Sequence, residues 1–340
     1  MIQAALIGTG YWGPNIAKSL ELTGKAKIRA LCDAHPGHLA AVARRYPDAR
    51  ATADAKDIFA DPEISAVAIA TPVHTHHELA ARALEAGKHV LVEKPLALTS
   101  DQAADLVIIA QQANRVLMVG HVFQFNPGIR ALKNLMDAGD LGDIHYLHFE
   151  RTNLGPVRTE VNALWDLATH DISIFCDLLD AAPVRVSATG KSFLNPDVED
   201  VVFATFEFAG GQLAQVHASW LNPRKVRQLV VTGSRRMALW DDMDQKTPVR
   251  VYDKRVEIPS PGEGGDTYQD FKTLCVDGAT TEPPVPPTPP LLAECEHFLD
   301  CVETGKKPRT DGPCGLTVVR LLEAATQSLK NGGAYVDCGG

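Results

Sequence analysis

Residues 2–13 read Ile-Gln-Ala-Ala-Leu-Ile-Gly-Thr-Gly-Tyr-Trp-Gly, an apolar run followed at once by three glycines in the spacing G-x-G-x-x-G. A short apolar run bounded by glycine is typical of a buried strand, and the stretch from Ile16 to Leu22 has helical spacing. In such a unit the glycines permit a tight turn, close approach of the backbone to a pyrophosphate, and close packing of the helix on the strand. We therefore predict that the chain opens with a dinucleotide-binding unit.

The alternation of strand and helix signals continues through the first third of the chain. Four further apolar runs predict strands, at 27–32, 66–70, 89–92 and 116–119. Stretches of helical length lie between them, at 38–46, 76–86 and 101–113. Regular alternation of this kind predicts a doubly wound parallel sheet, and we place the end of this first domain at residue 121.

A different pattern runs from residue 122 to residue 340. Two predicted helices, at 127–138 and 165–179, precede strand-like segments at 184–188, 201–208, 212–221, 226–232 and 237–240. Ala209-Gly210-Gly211 is a hairpin signal. The proline-rich segment 282–290 predicts a polyproline connector to two closing helices, at 291–303 and 315–329. We predict an α+β domain with a large, open, mostly antiparallel sheet.

The overall composition narrows the class of protein. The 340 residues are 45% hydrophobic and 22% charged, which suits a globular protein with a sizeable core and excludes wholesale disorder. The net charge of -9 would repel a nucleic-acid backbone or an anionic membrane. No apolar run approaches the roughly 20 residues that cross a bilayer, and the first strand starts without a signal segment, so we expect a cytoplasmic protein without membrane or nucleic-acid partners. The seven cysteines form no CxxC pair, and we expect them to be reduced.

Asp33 lies twenty residues after Gly13, at the end of the second predicted strand. A carboxylate there accepts hydrogen bonds from the adenosine ribose of a dinucleotide. It would repel the 2′-phosphate of NADP, and neither Ala34 nor His35 is a strong phosphate ligand, so we predict NAD as the cofactor. A flavin uses the same glycine pattern, but the regular segments that follow argue against it. The alternative is that the glycines only shape the turn and that Asp33 caps the next helix.

Two further motifs carry candidate catalytic groups. Glu93-Lys94-Pro95 follows the predicted strand 89–92 at the edge where open α/β sheets bind ligands, so Lys94 could orient a substrate hydroxyl or transfer a proton. Asp166 and His170 lie four residues apart, hence on one face of a predicted helix with apolar neighbours. A carboxylate there can orient an imidazole for acid/base catalysis. The alternatives are an exposed loop lysine and a surface ion pair.

The histidine-rich run His74-Thr75-His76-His77-Glu78 resembles a set of metal ligands. Adjacent helical positions do not converge on one ion, and no distant Cys or His pair completes a site. We therefore predict no metal and place a helix start close to the cofactor at this point.

Taken together, Gly8 to Gly13, Asp33, Ala70-Thr71-Pro72 with His74 and His77, Glu93-Lys94-Pro95 and the Asp166 to His170 pair resemble the Gfo/Idh/MocA oxidoreductase family. The resemblance implies an NAD-binding Rossmann domain over residues 1–121 and a substrate-binding and oligomerisation domain over 122–340. It implies that Lys94, Asp166 and His170 are catalytic. It also implies cofactor contacts from Gly8, Thr9, Gly10, Tyr11, Trp12, Gly13, Asp33, Ala34, Thr71, Pro72, His74, His77, Glu93 and Lys94.

Five longer stretches are similar to the branch of the family that oxidises the C3 hydroxyl of UDP-N-acetylglucosaminuronic acid: 11–15, 120–127, 153–158, 161–168 and 219–227. This resemblance implies substrate contacts from Lys94, Gln124, Asn126, Arg158, Asn162, Asp166, His170 and Arg227. An anionic nucleotide sugar needs local cations, and the candidates in the second domain are Arg151, Arg158, Arg224, Lys225 and Arg227. The alternative is that these cations form a solvated strand face.

The combined prediction is a dehydrogenase that transfers a hydride from a secondary hydroxyl carbon of a sugar to nicotinamide. We assign His170 as proton acceptor, Asp166 as its orienting partner and Lys94 as the donor that stabilises alkoxide charge, although Lys94 and His170 could exchange roles. A free sugar or inositol substrate, a non-catalytic NAD-binding regulator and a glycoside hydrolase with transient NAD chemistry are the alternatives. An open sheet would leave a hydrophobic face to cover, so we expect a homodimer or homotetramer through that sheet.

Overall fold

The computed structural model describes residues 1–155, 157–159, 161–257 and 275–339. The chain divides into two compact units, one formed by residues 1–125 with 288–323 and the other by residues 126–287 with 324–340. Residues 288–323 therefore belong to the first unit, whereas the predicted boundary at residue 121 assigns every later residue to the second domain.

The first unit contains a six-stranded parallel sheet with strand order β3-β2-β1-β4-β5-β6. Its strands are β1 (Ile2–Ile7), β2 (Ala26–Cys32), β3 (Arg50–Thr52), β4 (Ala66–Ile69), β5 (His89–Glu93) and β6 (Leu117–Gly120). Its helices up to that point are α1 (Gly13–Leu22), α2 (Pro36–Ala43), α3 (Lys56–Phe59), α4 (His76–Glu85) and α5 (Ser100–Ala113). The predicted doubly wound sheet is confirmed, whereas β3 and α3 were not predicted because each is short and largely polar.

The second unit is built on a nine-stranded sheet with strand order β14-β13-β12-β11-β7-β10-β9-β8-β15. In chain order the unit begins with helix α6 (Pro127–Asp137), the sheet strand β7 (Ile144–Leu154) and helix α7 (Thr169–Leu179). The following strands are β8 (Arg185–Lys191), β9 (Val201–Glu207), β10 (Leu213–Ser219), β11 (Leu221–Gly233), β12 (Met237–Asp241), β13 (Val249–Val256), β14 (Cys275–Thr281) and β15 (Val336–Asp337). Only β7 and β10 pair in parallel among these described strands, so the predicted mostly antiparallel sheet is confirmed.

The strand β7 lies at the centre of this sheet, although the sequence analysis predicts no strand over residues 144–154. Its buried positions alternate along the strand, as Leu147 and Phe149 show. Phe149 packs edge-on to Phe175 of α7, at 6.2 Å between ring centroids, and this contact belongs to the core of the second unit. Alternation of apolar and polar residues is a strand signal, and in β7 it was obscured by His148 and Glu150 on the other face and by the exposed His145 before Leu147.

The C-terminal part of the chain follows the proline-rich segment, which has no regular secondary structure up to Pro289. Helix α8 (Pro290–Thr304) belongs to the first unit, α9 (Gly312–Lys330) begins there, and β15 (Val336–Asp337) closes the second sheet. Cys295, Phe298 and Leu299 of α8 join Ile16 and Leu20 of α1 in one hydrophobic cluster. No helix in the described part of the chain is both long and apolar enough to cross a membrane.

Candidate active site

The glycine turn between β1 and α1 has the shape that a pyrophosphate needs. Gly8 has a φ of +96°, and a Cβ there would lie 2.6 Å from the carbonyl carbon of Ala70. A Cβ at Gly13 would lie 1.9 Å from the carbonyl oxygen of Gly8, so both positions exclude a side chain. Around Gly10, in contrast, no atom lies within 4 Å of the position a Cβ would take. That open space at the helix N-terminus fits the approach of a dinucleotide pyrophosphate.

Asp33 is fixed against this turn at the end of β2. Its Oδ2 accepts hydrogen bonds from the Thr9 backbone N–H at 2.7 Å and from the Thr9 hydroxyl at 2.9 Å, and its Oδ1 accepts from the His35 N–H at 2.8 Å. Burial raises the pKa of the Asp33 carboxyl, but the bonds from His35 and Thr9 outweigh it and leave the pKa below its usual value. The carboxylate is therefore ionised at neutral pH and suits a ribose diol. Ala34 beside it is exposed.

The end of β4 is held by a histidine that sequence reasoning missed. The His76 imidazole is buried, with Nδ1 2.9 Å from the Pro95 carbonyl oxygen and Nε2 2.9 Å from the Thr71 carbonyl oxygen. It thus connects the strand end that carries Thr71 and Pro72 with the loop that follows Lys94. Burial lowers the pKa of His76. Three histidines begin or precede α4, and sequence spacing does not show which of them turns inward.

The two histidines that were predicted as cofactor contacts lie differently. His74 is exposed, whereas the Nε2 atom of His77 lies 2.7 Å from the Asp105 carboxylate of α5. The hydroxyls of Thr71 and Thr75 lie 2.6 Å apart, which braces the turn before α4. Contacts of His74 and His77 with a cofactor stay predictions.

Lys94 follows β5 at the carboxyl edge of the sheet, and the Lys94–Pro95 peptide bond is cis. Glu93 before it accepts hydrogen bonds from the Trp12 indole N–H at 2.6 Å and from the Lys94 backbone N–H at 3.2 Å. Burial raises the pKa of Glu93 to about 7, against the opposing effects of the Lys94 charge and the Trp12 hydrogen bond. The structure therefore brings three predicted residues together, one from the glycine turn and two from the β5 edge.

Asp166 and His170 belong to the second unit, where the sequence predicted one regular helix over 165–179. The observed segment begins with a π-helical turn, Leu164–Ala168, and becomes α-helical at Thr169. The Thr169 hydroxyl donates to the Trp165 carbonyl oxygen at 2.5 Å within this wide turn. The prediction of a regular helix was wrong for that turn, although Asp166 and His170 remain in one helical segment. Single π-helical turns inside α-helices are frequent at functional sites.

The Asp166 carboxylate has two polar neighbours from other segments of the second unit. Its Oδ2 accepts a hydrogen bond from the Trp220 indole N–H at 3.1 Å. Its Oδ1 lies 3.7 Å from Nε of Arg158, whose side chain is 54% exposed. Because Arg158 is both exposed and close to Asp166, it is placed to meet an anionic ligand beside this carboxylate.

Three amide side chains that were predicted to bind substrate have partners within their own units. Gln124 is buried, with Nε2 3.7 Å from the Cys314 sulfur. Asn126 accepts from the Gly128 N–H at 2.8 Å, which caps α6, and donates to Asp242 at 3.1 Å. Asn162 accepts from the Trp165 N–H at 3.1 Å and donates to Glu199 at 2.7 Å. These contacts stabilise the backbone of the site, and direct contact with substrate stays a prediction.

Among the cations predicted to bind an anionic substrate, Arg151 and Arg227 pair with carboxylates, whereas Arg224 and Lys225 are exposed. Arg151 is buried and donates to Asp171 Oδ1 from Nε at 2.8 Å and from Nη2 at 2.6 Å, so the expectation that it meets substrate was wrong. Arg227 pairs with Asp242 at 3.1 Å and is 34% exposed. Arg224 and Lys225 are exposed in a bulge of β11.

Comparison with known proteins connects this geometry to a family. Residues 2–121 match the Gfo/Idh/MocA profile described as "Oxidoreductase family, NAD-binding Rossmann fold", and residues 129–239 match the C-terminal domain profile of the same family. The chain belongs to the Gfo/Idh/MocA oxidoreductase family. Its fold class, its cofactor NAD and its enzyme class, an NAD-dependent oxidoreductase, agree with the sequence predictions.

Several relatives in this family share most of the chain. UDP-N-acetylglucosamine 3-dehydrogenase of Acidithiobacillus ferrooxidans is 30% identical over 266 residues, 78% of each chain. Its structure superposes with a TM-score of 0.83 over 97% of this chain and 98% of that one, at 26% identity. scyllo-Inositol 2-dehydrogenase (NAD(+)) of Bacillus subtilis is 27% identical over 345 residues, 97% of this chain and 95% of the relative.

No group of three or more His, Cys, Asp or Glu side chains is placed to hold a metal ion within the ranges that the structure describes. The residues at the carboxyl edge of the first sheet fit NAD instead. Gly10 leaves room for the pyrophosphate, and Asp33 presents an ionised carboxylate at the end of β2. In this family member, Lys94 lies beside that edge and Asp166 lies in the second unit.

Proposed function

We propose that the protein oxidises a secondary hydroxyl of a sugar, and that its substrate is a nucleotide sugar acid of the UDP-N-acetylglucosaminuronate type oxidised at C3. The observation that carries the proposal is the exposed Arg158 beside the Asp166 carboxylate, which offers a cation at a candidate acid/base group. Exposed Arg224 and Lys225 in the β11 bulge add positive charge within the same unit. A diphosphate and a sugar carboxylate need cations of this kind.

Three side chains have separate roles in the proposed reaction. Bound NAD supplies the hydride acceptor. His170 takes the hydroxyl proton of the substrate, and Asp166 orients the imidazole and contacts the sugar. The Lys94 ammonium donates a hydrogen bond to the substrate oxygen and stabilises the negative charge that develops there. In this assignment the alkaline limb of the activity profile belongs to Lys94, and if Lys94 and His170 exchange roles, the acid limb belongs to the lysine.

Two relatives with different named activities bear on the substrate class. The A. ferrooxidans relative is named for a UDP-sugar and for position C3, which favours a nucleotide sugar here. The B. subtilis relative is named for scyllo-inositol, so an inositol or free sugar is the second candidate. An inositol carries no phosphate, and the exposed cations would then have no function in binding.

The test is a substrate panel with purified protein and NAD, followed through NADH absorbance. UDP-N-acetylglucosaminuronic acid, UDP-N-acetylglucosamine and scyllo-inositol are compared at equal concentrations. We expect the sugar acid to give the highest kcat/KM, and Arg158→Ala to raise its KM while the Kd for NAD stays constant. Arg185→Ala removes a similarly exposed arginine that pairs with Glu207, and it should change neither constant. Efficient oxidation of the inositol alone would contradict the nucleotide-sugar assignment.

We also propose that the second unit forms a homodimer or homotetramer through the exposed face of its sheet. Large apolar side chains are exposed on three strands of this sheet. Tyr146 on β7 is 43% exposed, Phe203 on β9 is 47% exposed and Leu213 on β10 is 41% exposed. Phe203 stacks on His217 with ring centroids 4.4 Å apart. Light scattering should give a mass that is a multiple of 36.7 kDa, and Phe203→Glu should shift it to the monomer. A monomeric parent would refute the proposal.

A further inference from the structure

Asp166 lies in the middle of the π-helical turn Leu164–Ala168, and this turn does not by itself fix the direction of its carboxylate. Residues four apart stack on one face of an α-helix, whereas each hydrogen-bonded ring of a π-helical turn contains one residue more. The spacing of Asp166 and His170 in the sequence is therefore not enough to direct the carboxylate toward the imidazole. Contacts from outside the helical segment are needed to hold it.

One such contact comes from Trp220, at the junction of β10 and β11. Its indole N–H donates to Asp166 Oδ2 at 3.1 Å, and the residue is completely buried. An indole N–H can donate but cannot accept, so this bond has one possible direction, toward the carboxylate. Hydrogen bonds to an ionised acceptor are also stronger than those between neutral groups. Trp220 therefore holds one oxygen of the Asp166 carboxylate at a defined position.

The backbone that carries the indole is itself hydrogen-bonded on both sides. The Trp220 N–H donates to the Asp200 carbonyl oxygen at 3.0 Å, and the Leu221 N–H donates to the Ser219 hydroxyl at 2.9 Å. Asp200 is completely buried, and its own N–H donates to the Lys191 carbonyl oxygen at 2.9 Å. The donor is thus presented from a fixed point of the second sheet.

The start of the segment that contains Asp166 is held by the residue next to Asp200. The Ala163 N–H donates to the Glu199 carbonyl oxygen at 2.9 Å, and the Asn162 side chain donates to the Glu199 carboxylate at 2.7 Å. Two consecutive residues, Glu199 and Asp200, therefore anchor the segment that carries the acceptor and the residue that carries the donor. This common anchor sets the distance between the indole and the carboxylate.

The two oxygens of the Asp166 carboxylate have different surroundings. Oδ2 faces the buried indole of Trp220, whereas Oδ1 lies 3.7 Å from Nε of Arg158, whose side chain is half exposed. The carboxylate is thus held between a buried donor and an exposed cation. The hydrogen bond on the buried side leaves Oδ1 toward the side from which a substrate approaches Arg158.

We propose that Trp220 is a positioning residue for the oxidation, whose indole N–H holds the Asp166 carboxylate in the orientation that serves His170 and the sugar. The proposal rests on the proposed function only where it treats Asp166 as part of the catalytic set. Trp220→Phe keeps an aromatic ring and removes the donor. A hydrogen bond to a charged group corresponds to roughly 10–150-fold in rate when it is fully expressed in the transition state.

The first test compares the kinetics of Trp220→Phe and the parent, with the substrate that gives the highest kcat/KM in the panel above. We expect kcat/KM for that substrate to fall by roughly 10-fold or more, while the Kd for NAD measured by calorimetry stays constant. Trp240→Phe is the matched control, because Trp240 is equally buried in the same sheet, on β12, where its ring lies against Gly128. It should leave both constants nearly unchanged. An equal loss of kcat/KM in the two variants would contradict the proposal.

The second test combines Trp220→Phe with Asp166→Ala. A residue that acts through the Asp166 carboxylate has no further effect once that carboxylate is gone. We therefore expect the double variant to match Asp166→Ala in kcat/KM. A purely structural role of Trp220 would lower kcat/KM by the same factor in both backgrounds, and that result would overturn the proposal.

The third test detects the hydrogen bond without measuring activity. Protein labelled with 15N in its four tryptophans gives one indole N–H signal for each, and the Trp220 signal is assigned from Trp220→Phe or, by elimination, from the other Trp→Phe variants. We expect Asp166→Ala to move the Trp220 signal upfield and to leave the Trp240 signal in place; an unmoved Trp220 signal would refute the proposal. Failure of the proposed function would look different, since Asp166→Ala would then keep activity within a few-fold of the parent while the signal still moved.

Discussion

Replacement of Asp33 tests how the first unit selects its cofactor. Asp33→Ala removes an ionised carboxylate at the end of β2 that accepts two hydrogen bonds from Thr9 and one from the His35 N–H. A hydrogen bond to a charged group contributes about 1.5–3 kcal/mol, and the ribose diol would form such bonds with this carboxylate. We take one such bond as the net loss, because the Thr9 hydroxyl competes for the same oxygen.

The expected result follows from that figure. NAD affinity should fall roughly 10–150-fold in Asp33→Ala, while NADP affinity should hold or improve because the repulsion of its 2′-phosphate is gone. The parent should prefer NAD by at least about tenfold, or about 1.4 kcal/mol. Since hydrogen bonds hold the pKa of Asp33 below its usual value and the 2′-phosphate of NADP is fully ionised well above a pKa of about 6, the preference should not change between about pH 7.5 and about pH 9.

Calorimetric titration of NAD and NADP into each protein at fixed ionic strength measures both constants. Asp33→Asn keeps the size of the side chain and removes its charge. It should therefore reduce the difference between the NAD and NADP affinities, with a smaller loss of NAD affinity than Asp33→Ala. Asp48→Ala is the matched control, because Asp48 is 77% exposed and pairs only with Lys27 among the described residues, at 3.2 Å. Equal or tighter binding of NADP by the parent would refute the reasoning.

Four further perturbations probe the remaining site. Lys94→Met and His170→Ala should each lower turnover by about 100-fold or more with NAD affinity nearly constant, and activity within a few-fold of the parent would remove that residue from the catalytic set. Asp171→Ala leaves a buried arginine without its carboxylate and should cost about 3–5 kcal/mol in urea unfolding, which a loss below 1 kcal/mol would contradict. His76→Leu removes the ring between two carbonyl oxygens and should lower both Tm and kcat; an unchanged Tm would show that the ring does not hold those two segments.

Most of the first sheet could be predicted from the sequence because five of its strands are short apolar runs ended by a glycine, a charge or a helix start. Five of its six strands were found within one or two residues. The strand β7 was missed because only one of its faces is buried, and polar residues such as His148 and Glu150 on the other face interrupt its apolar pattern. The return of α8 to the first unit could not be read from the sequence, since helical spacing shows that a face is apolar but not which surface covers it.

In the candidate site, too, residues placed by local sequence could be predicted, and residues placed by packing between distant segments could not. Gly8, Asp33 and Lys94 follow strand ends, so their common edge could be inferred from the order of the elements alone. The inward turn of His76 depends on packing between segments distant in sequence. Arg151 looked like a phosphate ligand by residue type, yet its buried partner lies twenty residues further along the chain.

Glu294 of α8, which is completely buried, gave no signal in the sequence. A glutamate in a helix is ordinarily a solvated residue, and only the packing of α8 against α1 places it among apolar side chains. Buried ionisable groups of this kind require a structure before they can be recognised.

Hydride transfer is the central claim, and isotope transfer tests it most directly. UDP-N-acetylglucosaminuronic acid that carries deuterium on C3 is incubated with the protein and NAD, and the reduced cofactor is analysed by mass spectrometry. We predict one deuterium in each NADH formed by the parent protein and a loss of labelled NADH of about 100-fold or more in Lys94→Met. Consumption of the labelled substrate without deuterium in NADH would contradict the account.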